Sequence, residues 1–397
     1  EIEYFVHPNE LNKNPFFKDV ENVKLRILTR EAQKKGGKEI VVTAKEAVER
    51  ARAVIAKKLR CKTQEIVFTS GGTEANSLAI KGIAFANRKK GKHLICSVIE
   101  HKSVLNCFRW LQQYGFKVTW LKVNHEGFID LADLEKAITK NTILVSIMHA
   151  NNEIGTLEPI KEIATLCKEK GVYFHTDACQ SFCKEELDLK KIKADLISLN
   201  AHKLHGPKGV GALVVREGIK LEPLQHGGKQ EHGLRAGTEN VPGIVGFAEA
   251  VKQAKKETIE RVRKLRNMLI KGMLALDNVK LNGPKPGEQA GKDRRLCNNA
   301  NFLFKGIEAE ALAGWLNIKG ICTSAGSACT SLSLEPSYVL KAIGLSDEEA
   351  NSSLRFSLSK YNTSEEVKYL LEVLPNILKK LRSISPFGKL LNKLINR

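Results

Sequence analysis

Residues 172–215 read VYFHTDACQSFCKEELDLKKIKADLISLNAHKLHGPKGVGALVV. Three runs rich in β-branched and apolar residues, at 172–178, 195–199 and 209–215, each have the length of one buried strand. The first reaches Asp177, an acid that is costly at the end of a buried strand unless a partner meets it. The second leads straight to Lys203, which precedes a Gly/Pro turn, a poor setting for a solvated surface lysine. Upstream, similar runs at 65–70, 93–97, 117–123 and 142–149 alternate with helical patterns. In 46–59 the stripe is Val48, Ala51, Ile55 and Leu59; in 160–170 it is Ile160, Ile163, Ala164 and Cys167. Strands alternating with helices predict crossover units and an α/β fold with a mainly parallel sheet covered on both faces. Such sheets bind ligands at the carboxyl ends of their strands, so the loops after these runs are where chemistry is expected.

Beyond residue 255 the pattern changes. A long helical stretch (Ile259, Val262, Leu265, Leu269, Met273) leads into a polar Gly/Pro/Lys-rich segment at 282–295, which reads as an exposed loop. A strand at 299–304, a helix near 308–316, a small-residue loop around Cys329 and a C-terminal helical pair follow. The organisation expected is a divergent N-terminal segment (1–45), a large domain (46–255) and a smaller C-terminal α+β domain (256–397) carrying a cysteine loop at about 322–335.

The chain has 397 residues and a net charge of +20, from 64 Lys and Arg against 44 Asp and Glu. Its lysines are scattered as pairs on polar helix sides, without zinc-finger spacing or an RNA-binding aromatic motif, so a solvated basic face or an acidic protein partner is expected and direct nucleic-acid binding is not. No apolar run approaches the roughly 20 residues that span a bilayer, and residues 1–15 lack a signal-peptide core. A cytoplasmic protein with no membrane partner is the expectation. The nine cysteines form no C-x-x-C pair, which argues against a disulfide framework or a zinc site. Cys96, Cys167 and Cys297 sit in apolar stretches and read as small buried residues; Cys329, in TSAGSACTS, has nothing nearby to bury it.

Three features point to one cofactor. The turn TSGGTEAN (69–76) follows a strand and opens a helix, so Gly72 and Thr73 can present backbone N–H groups and a hydroxyl to an anion; alone, it reads equally well as an ordinary capped turn. Asp177 suits a pyridinium nitrogen. Lys203 suits a Schiff base, because a desolvated lysine becomes an amine nucleophile. Together the three specify pyridoxal phosphate.

The motifs SGGTEANSLAIKG, EHKSV, MHANNEIG, HTDACQS, AHKLHGPKGVGAL, GLRAGTENVPGIVG, SAGSACTSLSLEPSYVLKAIG and SSLRFSLSKY resemble those of cysteine desulfurases of the NifS/IscS type, class-V aminotransferases among the fold-type I pyridoxal-phosphate enzymes. The resemblance runs from about residue 46 to 386. It implies conversion of L-cysteine to L-alanine, with the sulfur passed to Cys329 as a persulfide for iron–sulfur cluster assembly or tRNA thiolation. It implies that Lys203 holds the cofactor, that Asp177 pairs with its ring nitrogen, and that His101 stacks on the ring and moves protons. Asn152 and Gln180 would bond the phenolic oxygen region; Gly72, Thr73, Asn200 and His202 would hold the phosphate; Thr238 would reach the cofactor of the second subunit of a homodimer. Arg355 would clamp the substrate carboxylate, with Asn152 beside it. An iron–sulfur scaffold or another sulfur acceptor is the implied partner, and Cys329 is the implied ligand should a [2Fe–2S] cluster be held in transit.

Three departures from the pattern stand out. Residues 1–45 match neither the N-A-A-T-T-like turn nor the G-N-P-[SA]-S loop. Asn200 replaces the serine three residues before the Schiff-base lysine. Lys229 replaces a glycine in GGKQEHG. Selenocysteine lyase, cysteine β-lyase, and a degenerate paralogue acting as a binding partner are the alternative readings.

Overall fold

The computed structural model describes residues 38–287, 293–324 and 335–384. Helix α1 (Lys38–Leu59) precedes β1 (Ile66–Thr69), α2 (Gly72–Asn87), β2 (His93–Ser97), α3 (Lys102–Gln113), β3 (Lys117–Leu121), α4 (Leu131–Ala137), β4 (Thr142–Ser146), α5 (Ile160–Glu169), β5 (Tyr173–Asp177), β6 (Leu196–Asn200), β7 (Gly211–Val215) and α6 (Val241–Gln253). The seven strands form one sheet in the order β1-β7-β6-β5-β4-β2-β3. β2 to β6 pair in parallel; β7 is antiparallel to both β1 and β6. Both faces are covered. Ile66 and Phe68 face the side packed by α1, α5 and α6, whereas Val67 faces the side packed by α2 and α3, as the period-2 alternation of a strand requires. The mainly parallel α/β sheet expected from the alternating runs is present.

The geometry of this sheet places the chemistry. β1, β2, β4, β5 and β6 all point the same way, so the loops after them open on one edge. Gly72 follows β1, His101 follows β2, Asn152 follows β4, Asp177 ends β5 and Lys203 follows β6.

The remainder continues through α7 (Lys256–Leu274), β8 (Val279–Asn282), β9 (Asn299–Phe304), α8 (Ala309–Ile318), α9 (Tyr338–Ala342), α10 (Asp347–Asn351), β10 (Ser353–Ser357) and α11 (Ser364–Ile384). β10, β9 and β8 form an antiparallel sheet around a core of Phe302, Phe304 and Phe356, packed by α7, α8 and α11. Strand β10 lies within the stretch quoted as SSLRFSLSKY, where a central arginine hides the strand pattern. The expectation of an exposed loop over 282–295 is overturned at its end. Arg295 is fully buried, its Nε donating to Pro284 O at 2.6 Å and its Nη1 to Asn299 Oδ1 at 3.2 Å. Acceptors left outside the ladders need donors when buried, and the guanidinium fork supplies several at once.

Glu158 is buried beside the large sheet, and its carboxylate accepts from Ile129 N–H at 3.2 Å. Burial pushes its carboxyl up to about 8, against roughly 4.3 in an unfolded chain. The native state therefore favours the protonated form, and stability is lost as pH rises from the unfolded value toward 8. Glu158→Gln is expected to remove this loss. In paired calorimetric scans, the variant's melting temperature should rise relative to wild type from pH 5 to pH 8; a constant difference between the two would contradict it.

Candidate active site

The site begins at the N-terminus of α2. Gly71 holds φ at 155°, a conformation glycine reaches at little cost. A Cβ added at Gly72 would clash with Cys179 Sγ, so position 72 is closed to a side chain and the backbone can sit close against the turn that follows β5. The first N–H groups of α2 have no intrahelical acceptors, and Thr73 is exposed beside them. Such a helix N-terminus is a cradle suited to an anion. Asn200, at the end of β6, lies 3.6 Å from the same ideal Cβ, and its Oδ1 accepts from Lys203 N–H at 3.2 Å. The substituted residue thus braces the turn that carries the lysine. His202 opens that turn, and burial, with the charge of Lys208 added, pushes its imidazole down and favours the neutral ring.

Asp177 has the partners that its position demands. Oδ2 accepts from Asn76 Nδ2 at 2.7 Å and Oδ1 from Cys179 N–H at 2.9 Å, leaving each oxygen a further lone pair. Cys179 is no competing nucleophile, since burial, reinforced by Asp177, raises its thiol well above the usual range. Lys203, Asn152, Gln180, Asn299 and Ser357 line one cleft. Asn152 Oδ1, in this cleft, is buried with no hydrogen-bond partner among the described residues, a costly state that a polar ligand relieves.

Arg355, on β10, is 2 % exposed and bonds one of the residues that line this cleft. Its Nη1 donates to Asn152 O at 2.8 Å, and its backbone pairs with Ser324 through bonds of 2.8 and 3.2 Å. The segment leading to the cysteine loop is therefore tied to the strand that carries the arginine. Glu153, next to Asn152, is buried, accepts from Ser337 Oγ and has its carboxyl raised by burial despite the nearby Arg355. His101 caps α3, with Nδ1 accepting from Ser103 N–H at 3.2 Å.

Cys329 lies outside the described residues. Thr238 is exposed; near it in sequence, Arg235 Nε meets Glu74 Oε1 at 2.9 Å, tying this stretch to the first turn of α2. Lys229 is exposed as well. Asn76, Ser103 and Glu153 take up contacts around the site that the motif resemblance does not assign. One signal was present: Asn76 lies four residues after Gly72, one helical turn along α2.

The profile of the aminotransferase class-V family matches residues 28–370. The chain belongs to that family. Within it, the chain is 53% identical over 346 residues to a protein named "Cysteine desulfurase IscS" from Clostridium botulinum, covering 86% of each. It is 52% identical over 351 residues to the protein of that name from Methanosarcina thermophila, covering 88% of this chain and 85% of the relative. A solved structure titled "NIFS-like protein" superposes with a TM-score of 0.79 at 37% identity, over 86% of this chain and 90% of the other. Another, "SspA in complex with cysteine", gives a TM-score of 0.73 at 36% identity, over 91% and 98%. The cradle at α2, the carboxylate of Asp177 and the buried carbonyl of Asn152 fit the cofactor of this family, pyridoxal phosphate: an anion site, a partner for a ring nitrogen and an acceptor near Lys203.

Proposed function

We propose that this chain is a pyridoxal-phosphate-dependent cysteine desulfurase that converts L-cysteine to L-alanine and passes the sulfur to Cys329. The observation that carries the reading is identity at the 50% level to cysteine desulfurases along most of the chain, joined to a site in which Lys203, Asn152 and Gln180 share a cleft. Bound pyridoxal phosphate supplies an electron sink for charge developing at the substrate α-carbon.

The chain's own residues do the rest. Gly72, Thr73 and His202 hold the phosphate, and Asn200 shapes the turn beneath it. Asp177, kept in place by Asn76 and Cys179 N–H, presents a carboxylate to the ring nitrogen. Arg355 clamps the substrate carboxylate; held to Asn152 O, its guanidinium is aimed in advance, which lowers the cost of binding. Lys203 Nζ, in the turn that follows β6, anchors the cofactor and moves the substrate α-proton. The Cys329 thiolate attacks the substrate sulfur, and the substrate Cβ–S bond breaks with its electron pair left on the carbon side, which is protonated to alanine. Cys329 carries the sulfur away as a persulfide, which is why a loop of small residues suits it.

The enzyme works as a homodimer, with Thr238 reaching the partner's phosphate, and hands its persulfide to an acidic sulfur acceptor such as an iron–sulfur scaffold. The excess of 20 positive charges supports that choice of partner. Thiol and persulfide chemistry suits a reducing cytoplasm. Among the described residues no helix is long and apolar enough to cross a membrane.

The test is product analysis. Purified protein with added cofactor, L-cysteine and a thiol reductant should form alanine and sulfide in equal amounts. Pyruvate and ammonia in place of alanine would show β-lyase chemistry and overturn the reading.

A further inference from the structure

Behind the candidate site runs an unbroken chain of side-chain hydrogen bonds. Asn76 Nδ2 lies 2.7 Å from Asp177 Oδ2 and 2.8 Å from Ser103 Oγ, and Ser103 Oγ lies 2.8 Å from His101 Nδ1. Its members come from α2, from the end of β5 and from the first turn of α3. Chemistry assigns each donor. The Asp177 carboxylate only accepts, so the NH2 group of Asn76 faces it, and the second N–H of that group goes to Ser103 Oγ. Ser103 N–H points at His101 Nδ1 from 3.2 Å. A backbone N–H cannot accept, so Nδ1 carries the lone pair, and the Ser103 hydroxyl donates to it as well. The ring proton is left on Nε2.

We infer that Asn76 and Ser103 are positioning residues that lock His101 in the Nε2–H tautomer and tie its ring to Asp177. The Asn76 amide donates at both ends, so no proton passes between Asp177 and His101; the chain transmits orientation alone. With Nδ1 occupied, the neutral ring keeps a hydrogen-bond donor at Nε2. A donor there stabilises sulfur as a thiolate, whether on the substrate or on Cys329. The tautomer stands on the geometry alone, whereas its use on sulfur rests on the desulfurase reading.

The test separates the two. In 15N-histidine-labelled protein free of cofactor, the His101 signal, identified by its loss in His101→Gln, should show the Nε2–H pattern. Ser103→Ala, which keeps the backbone N–H but removes the hydroxyl, should broaden or shift that signal toward a mixture. Its kcat for alanine formation should fall about 10-fold, the worth of one hydrogen bond of roughly 1.4 kcal/mol, with KM for cysteine within about twofold. Ser103→Thr should restore both readouts, and Asn76→Ala combined with Ser103→Ala should fall no further than the worse single variant, since both break one chain. An Nδ1–H signal in wild type overturns the proposal, and so does a Ser103→Ala protein with unchanged signal and kcat. If wild type makes no alanine, the desulfurase reading fails while the tautomer readout still decides this proposal.

Discussion

Lys203→Ala is expected to lower alanine formation from L-cysteine by at least about 10³-fold, since losing a positioned proton-transfer group alone costs roughly 10²–10⁴ and the covalent anchor of the cofactor goes with it. The turn itself should survive, because its brace is the backbone bond from Lys203 N–H to Asn200 Oδ1, which alanine keeps. Cofactor binding through the phosphate cradle should therefore persist in weakened form. Borohydride reduction followed by peptide mass spectrometry checks the assignment: wild type should carry the cofactor on the peptide containing Lys203, and the variant should carry none. Attachment at Lys184 or Lys208 instead would refute it. Cys329→Ala gives the complementary outcome, with the cofactor still fixed to Lys203 and alanine formation reduced to background.

Glu231→Gln is expected to destabilise the large sheet by about 3–5 kcal/mol, the cost of leaving a buried charge without its buried partner; the half-exposed Glu49, 3.2 Å from Arg52 Nε, stays in place. Arg52, on α1, is 3 % exposed. Its Nη1 and Nη2 meet Glu231 Oε2 and Oε1 at 2.7 and 2.8 Å, and Nη1 also donates to Ile66 O. Glu231 Oε2 accepts from Phe68 N–H at 2.7 Å. One carboxylate thus joins α1 to β1 and to the turn that leads toward Arg235 and Thr238. For a unit of about 200 residues such a loss lowers the melting temperature by on the order of 10 °C. Calorimetry measures the drop, and the Arg52→Met, Glu231→Leu double variant should recover most of it, since a buried ion pair exchanged for packed apolar groups is often near neutral. A Glu231→Gln protein that melts with wild type would mean that the pair is solvated in solution.

The strand positions of the large sheet, its two apolar faces and the lysine–aspartate pair were legible in the sequence because their signals are local, whereas β8 and β10 of the small sheet were not. Strand and helix periods fit within one element, and Asp177 and Lys203 each sit at the end of an apolar run. From that pattern followed the parallel sheet, its carboxyl edge as the place for chemistry, and pyridoxal phosphate as the cofactor. The convergence of partners was not legible. Asn76 meets an aspartate 101 positions away, Ser103 joins it from 27 positions away, and Arg355 finds the carbonyl of Asn152 across 203 positions. No local period encodes such pairs. The same holds for Arg295, polar in a Gly/Pro-rich stretch and yet fully buried, because the carbonyls that need its donors arrive from elsewhere in the chain. Apolar burial follows from composition and spacing, since any apolar neighbour will serve. A buried polar group needs one particular partner in one direction, and only the folded chain brings that partner to it.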